Sequence, residues 1–301
     1  MRFRPLGGSG MVVSAVSMSL TDSSARSRPS DWRAIIYTAL ENGVNAFEVV
    51  GRHPAIAEGL GMALQAIERR LVFVAWRVGC TVAPSGATLR DFSPANLRNV
   101  TESAIARSGL DYLDAVVLDD PHGNELSPQA LELLKSMREA GRVRMLGVAG
   151  EDDAIDAYIS SRAFDLLYTP FNLTSGWKER LRLKAAVERD MGVIGYSYFP
   201  GIFNRGVAPL IQAQKARANP LAGAGTYAFL ETTRGWKSEE ICLAYALTEP
   251  CLASVQIVAD RPDRLAALAD ITERDLPSGV GAQIEMARFS ATPQIDRARR
   301  A

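Results

Sequence analysis

Short apolar runs of strand length alternate with amphipathic stretches of helix length along almost the whole chain, and that alternation limits the fold more than any other feature. Parallel strands need a crossover of a dozen residues or more, so strand and helix repeats build a parallel sheet covered by helices. Eight strands are predicted, at Ser14 to Ser19, Ala46 to Val50, Leu71 to Trp76, Asp114 to Leu118, Val143 to Val148, Leu166 to Thr169, Val193 to Ser197 and Leu252 to Val258. Helical patterns follow them at Asp31 to Asn42, Ile56 to Arg70, Pro94 to Ser108, Ser127 to Ala140, Asp153 to Ser161, Glu179 to Asp190, Ser238 to Thr248 and Pro262 to Ile271. Pro128 and Pro262 sit at first helical positions, where the missing N–H costs little. Gly43, Gly141 and Gly192 fall where a helix ends and the chain reverses. Eight such units in 301 residues match an α/β fold of the closed (β/α)8 TIM-barrel type.

A doubly wound open sheet shares this local pattern but requires glycines under a pyrophosphate after its first strand. Here Leu6-Gly7-Gly8-Ser9-Gly10-Met11 precedes the first barrel strand and reads as the turn of an N-terminal β-hairpin. The expected organisation is a single barrel over 1–301, with a long loop at 199–236 after the seventh strand and a solvated tail at 277–301. The loop holds Gly201, Gly206, Gly223, Gly225 and Gly235, and the tail ends on Arg297, Arg299 and Arg300.

Composition narrows the function classes. Lys+Arg and Asp+Glu both number 34, which argues against a nucleic-acid partner, and 47% apolar content suffices for a large core. No apolar run is long enough to span a bilayer, and Met1-Arg2-Phe3-Arg4 does not lead into a signal-peptide hydrophobic region, so a cytoplasmic protein is expected. Cys80, Cys242 and Cys251 are odd in number and widely spaced, as buried thiols in a reducing compartment are.

Several segments carry a family resemblance. They are Leu6-Gly7 to Ser14, Ala39-x-x-x-Gly43-Val44-Asn45-x-Phe47, Glu58-Gly59-Leu60-Gly61-x-Ala63-Leu64 and Gly109-Leu110-Asp111-Tyr112-Leu113-Asp114. Ala140-Gly141-Arg142-Val143-Arg144-x-Leu146-Gly147-Val148 is the most specific, followed by Gly192-Val193-Ile194-x-Tyr196-Ser197 and Pro262-Asp263-Arg264-Leu265. In order and spacing they resemble the aldo-keto reductases, which reduce carbonyls with a nicotinamide hydride. The resemblance implies a catalytic set of Asp, Tyr, Lys and His at the barrel mouth, the tyrosine protonating the carbonyl with its phenol tuned by the lysine. By position these fall on Glu48, His53, Arg77 and Asp119, so all four identities differ. Arginine cannot share a proton as lysine does, and Asp119 brings a carboxylate to the place where negative charge would gather.

The resemblance also implies a dinucleotide site. Tyr196 and Ser197 fall where the nicotinamide stacks, and Arg264 at the adenosine end. The carboxamide partners fall on Ala149, Gly150 and Tyr168, which offer no amide-pairing geometry. Val258 and Leu268 replace other usual contacts, and Asp260 repels a 2′-phosphate. The expectation is a weakened site that favours NAD(H) over NADP(H).

Glu48, Arg77 and Asp119 lie at the ends of consecutive barrel strands, and a self-paired ion network is the simpler reading of them. A new acid/base site built on Glu48, His53 and Asp119, acting on an unknown carbonyl substrate, is the alternative. His122, in Asp119-Asp120-Pro121-His122-Gly123-Asn124, reads as part of a polar loop; no metal site is expected. Trp177, Trp236, Phe203, Tyr227 and Phe229 read as a lid or local core and mark the first surface to test for a partner. Together these readings predict a barrel without the family's reductase chemistry, responsive to NAD(H) and acting on a protein partner. The resemblance extends to a regulatory branch of the family, which implies that the partner is a bacterial cell-division protein.

Overall fold

The computed structural model describes residues 1–22, 26–83, 85–203 and 227–288. Strands β1 (Phe3–Pro5) and β2 (Val12–Ser14) form the N-terminal hairpin, with Phe3 opposite Ser14. The barrel follows with β3 (Val16–Leu20), β4 (Ala46–Val49) and β5 (Phe73–Val78). A small antiparallel hairpin, β6 (Cys80–Val82) and β7 (Thr88–Arg90), is inserted before the barrel resumes. It resumes with β8 (Leu113–Asp119), β9 (Val143–Ala149), β10 (Leu166–Pro170), β11 (Gly192–Tyr196) and β12 (Ser254–Ile257). β12 pairs with β3 in parallel, closing eight strands into one barrel.

The surrounding helices include α1 (Pro29–Glu41), α2 (Pro54–Leu64), α3 (Pro94–Ser108), α4 (Pro128–Glu139), α5 (Ala154–Ser161), α6 (Trp177–Val187), α7 (Phe229–Thr232), α8 (Ser238–Leu247) and α9 (Pro262–Asp270). Proline stands at the start of α4 and α9 as expected, and Ser127 caps α4 by accepting from the Ala130 N–H at 3.2 Å. None of the described helices is long and apolar enough to cross a membrane.

Nearly all barrel-strand residues are buried on both faces, so the strands read as mostly apolar runs broken by a few polar residues such as Glu48, Arg77 and Gln256. The alternation appears in where the side chains go. Met18, Phe47, Val49, Val74, Trp76, Val116 and Leu118 pack outward under the helices, while Ala46, Phe73, Ala75, Ala115, Val117 and Tyr168 fill the interior. Leu6 of the hairpin joins that inner cluster, so the hairpin plugs the end of the barrel where the strands begin. At the same end, Asp114 accepts from Arg69 at 2.7 Å and from the Val74 N–H at 2.9 Å, and Arg144 lies over the ring of Tyr112 at 3.9 Å. Two of the family-like segments thus meet at the face of the barrel associated with stability.

Three boundaries depart from expectation. The helix expected to reach Arg70 ends at Leu64, because Arg69 is drawn into a tight turn by the carbonyls of Val72 and Tyr112 and by Asp114. Gly192 does not end a helix: Asp190 takes the left-handed turn, at φ 59°, and Gly192 opens β11, where a Cβ would lie 2.6 Å from Leu6 Cδ1. The stretch 280–288, expected as tail, is helical and buries Val280, Ile284 and Ala287. Residues 204–226, with Gly206, Gly223 and Gly225, and residues 289–301, with Arg297, Arg299 and Arg300, lie outside the described residues.

Gly7 is required by both conformation and space: its φ is +54°, and a Cβ would lie 2.3 Å from the Gly192 nitrogen and 2.4 Å from the Asp190 carbonyl oxygen. Gly10, also left-handed at φ +73°, has open space around it. In thermal unfolding Gly7→Ala is expected to cost about 2 kcal/mol or more and Gly10→Ala about 1 kcal/mol; equal losses would refute the close-approach argument.

Candidate site at the mouth of the barrel

The strand ends bring three of the four candidate catalytic residues together. Glu48 on β4 and Arg77 on β5 occupy neighbouring strands with inward-facing side chains, and Asp119 is the last residue of β8. Arg77 donates to both Glu48 oxygens, Nε to Oε1 at 2.9 Å and Nη2 to Oε2 at 3.0 Å, a fork on a carboxylate. Its Nη1 donates to Asp119 Oδ1 at 3.2 Å. Glu48 is 1% exposed and the Arg77 side chain 11%, whereas Asp119 keeps 31% of its side chain open. The rings of Tyr168 and Tyr196 lie 5.5 Å from the guanidinium carbon, so aromatic faces complete its surroundings.

Gln256 on β12 is a member of this network that the sequence reading missed. Its Nε2 donates to Glu48 Oε2 at 2.5 Å from across the closure of the barrel. The available signal was an amide side chain in the mostly apolar run Leu252 to Val258, two positions from the buried Ser254 on the same face.

Electrostatics make Arg77 a permanent cation. Burial opposes its charge, but the Glu48 carboxylate, the hydrogen bonds to it and Asp119 together hold its pKa above the ordinary guanidinium value. Burial raises the phenol of Tyr196 above the usual tyrosine range despite the opposing pull of Arg77. It raises Tyr168 well above that range too, with Glu48 adding to the effect. Neither phenol is tuned downward as a proton donor would be.

His53 stands apart from this network. It is the exposed N-cap of α2, where its Nδ1 accepts from the Ala55 N–H at 3.2 Å, and it makes no hydrogen bond or ion pair with Glu48, Arg77 or Asp119. Its own backbone N–H and that of Arg52 donate to Asp22 Oδ1 at 2.8 and 2.9 Å, fixing the turn after β4.

Around the mouth, Ala149 ends β9 fully buried, and Tyr196 ends β11 beside the exposed Ser197, which takes a left-handed φ of 53°. Arg264 on α9 is held by Glu239 at 2.8 Å and faces Asp260 at 3.5 Å, and the hydroxyl of Tyr198 also donates to Glu239 at 2.7 Å. Val258 is exposed and Leu268 is buried. Phe203, Tyr227 and Phe229 are buried and in ring contact, with centroids 5.1 and 6.2 Å apart, and Trp236 lies under Arg274 at 3.8 Å. Of those five aromatics Trp177 alone is strongly exposed, at 77%.

His122 comes closer to carboxylates than its neighbours in sequence suggest. One ligand-type atom each from Asp120, His122 and Asp152 lie within 4.8 Å of one another, Asp152 coming from the loop after β9. His122 and Asp152 are exposed, and Asp120 faces Arg90, whose guanidinium also donates to its carbonyl.

Comparison with known proteins can be set against this geometry. The model of the aldo/keto reductase family matches residues 17–288. The chain belongs to the aldo/keto reductase family. An NADH-specific methylglyoxal reductase of Escherichia coli (strain K12) is 22% identical over 234 residues, 71% of this chain and 69% of that protein. A D-threo-aldose 1-dehydrogenase of a Pseudomonas species is 24% identical over 225 residues, 67% of this chain and 65% of that protein. The chain therefore spans about two thirds of the length of these relatives. An aldo-keto reductase of Bacillus halodurans in its holo form superposes with a TM-score of 0.74 at 19% identity, covering 95% of this chain and 96% of that one. At that identity the likeness shows the fold, a (β/α)8 barrel that this aldo/keto reductase family member shares.

Removing Glu48 leaves a buried guanidinium with one partly solvated partner. Glu48→Ala is therefore expected to destabilise the protein by about 3 to 5 kcal/mol in urea unfolding, and Asp119→Ala by about 1 kcal/mol or less. The half-buried Cys80 donates its thiol to the Asp119 carbonyl at 3.1 Å, and burial, with Asp119 adding, pushes its pKa up to about 11. With so little thiolate at pH 8, Cys80 should alkylate with iodoacetamide at least about tenfold more slowly than a free cysteine. Labelling at the free-thiol rate would contradict this placement.

Proposed function

We propose that this chain is a cytoplasmic pseudo-oxidoreductase, an aldo/keto reductase barrel without the family's proton-transfer set that responds to NAD(H) and acts on a protein partner. The observation that supports it most is the Glu48, Arg77 and Asp119 network. A proton relay needs groups that exchange a proton near neutrality, whereas here the central cation is held charged by two carboxylates. His53, at the position implied for the acid, caps a helix apart from that network.

The nucleotide residues fit a dinucleotide unevenly. When bound, such a cofactor supplies a hydride. Tyr196 and Ser197 would flank its nicotinamide and Arg264 its adenosine end, while Ala149 and Gly150 bring no side-chain donor or acceptor to the carboxamide and Tyr168 is buried. Glu239 and Asp260 beside Arg264 disfavour a second phosphate, which supports NAD(H) over NADP(H). One curated relative is NADH-specific by name. For the partner, Trp177 with Leu181 one turn further along α6 offers exposed apolar surface, and the resemblance to a regulatory branch points to a cell-division protein.

A second reading is an oxidoreductase with altered acid/base residues acting on an unknown carbonyl substrate. It is favoured by the names of both curated relatives, which are oxidoreductases, and by the exposed imidazole of His53. One experiment separates the two. Under the first reading NADH binds saturably and raises the melting temperature, Arg264→Ala weakens binding about tenfold, and a broad carbonyl panel shows no NADH oxidation. Turnover abolished by His53→Ala would establish the second reading and overturn the first, and no NADH binding at all would overturn the first alone.

A further inference from the structure

A cleft of about 260 Å³ lies between the turn after β4, the start of α2, the end of β5 and α3. Its floor is apolar: Trp76, 9% exposed, with the buried Ala57 and Ala104. Trp76 packs outward from β5, and its neighbour Arg77 also borders the cleft while its guanidinium turns to Glu48 and the tyrosine rings on the other side of the strand. Its rim is cationic and polar, formed by Arg52 and Arg107 together with His53, Asn99 and Ser103, all exposed.

Arg69, Arg77, Arg90, Arg180, Arg182 and Arg264 each meet a carboxylate, whereas neither Arg52 nor Arg107 has one within 4.0 Å among the described residues. Because His53 Nδ1 already accepts from Ala55, the neutral imidazole carries its proton on Nε2, a further donor at the rim. The N-terminus of α2 adds the positive end of a helix at the same edge.

We propose that this cleft binds a small organic carboxylate carried on a flat apolar body, the ring lying over Trp76 and the carboxylate meeting Arg52 and Arg107. Charge complementarity selects the anion, because an arginine fork matches the two oxygens of a carboxylate. The volume, just below the usual range for ligand pockets, suits a single ring.

Calorimetric titration of the full chain with benzoate, with its neutral isostere benzamide and with acetate tests this directly. Benzoate should saturate one site at least about tenfold more tightly than either of the others, since each lacks one half of the match. Arg52→Ala and Arg107→Ala should each weaken benzoate about tenfold with unchanged melting temperature, and Ser103→Trp, which fills the cleft from an exposed position, should abolish binding without removing a charge. Equal affinity for benzoate and benzamide, unaltered binding in these variants, or no saturation by millimolar benzoate would each overturn the proposal.

Discussion

The guanidinium of Arg77, set inside the mouth of the barrel, is the constraint on which that end depends. A cation placed there must be paired and hydrogen-bonded, since burying it alone costs several kcal/mol. β4 supplies Glu48 for the fork, β8 supplies Asp119, β12 supplies Gln256 to hold Glu48, and β10 and β11 supply tyrosine faces. Five strands that are remote in sequence are thereby tied to one charge. The barrel must close for this to happen, because Gln256 reaches Glu48 only through the pairing of β12 with β3.

That arrangement gives the equal numbers of acidic and basic residues a local meaning. Most buried or half-buried arginines are matched: Arg69 with Asp114, Arg90 with Glu125, Arg182 with Asp156 and Arg264 with Glu239. Such pairs hold elements in place, and in the barrel interior they leave a mouth whose charge is already satisfied. Arg52 and Arg107, exposed and with no carboxylate within 4.0 Å among the described residues, flank a cleft with an aromatic floor.

The elements legible from sequence were those with strong local signals. Pro94 to Ser108 was bounded correctly because Ser93 caps it, Pro94 opens it and Gly109 closes it in the left-handed region. The reading through Ile67 to Arg70 ran on as helix because the apolar period continued, and only the tertiary pull of Asp114 and Tyr112 on Arg69 broke it. The β6 and β7 hairpin is not legible in the sequence because three-residue strands carry no readable alternation. In the candidate site, the strand-end positions of Glu48, Arg77 and Asp119 were readable from the repeat, while the separation of His53 from them was not. Its use as a helix cap follows from how the turn after β4 is folded onto Asp22.

The sequence by itself determined the architecture, since helix and strand periods, caps and the family-like segments are local properties that each βα unit carries independently. It also determined which chemical groups stand at the strand ends. Only the tertiary structure decided which of those groups meet. Closure of the barrel, the inward or outward direction of each side chain and the packing of α2 against α3 bring distant residues together. The same chain therefore shows a self-neutralised charge at the mouth and an unneutralised one at the cleft, because pairing is set by distances through space that no spacing along the sequence encodes.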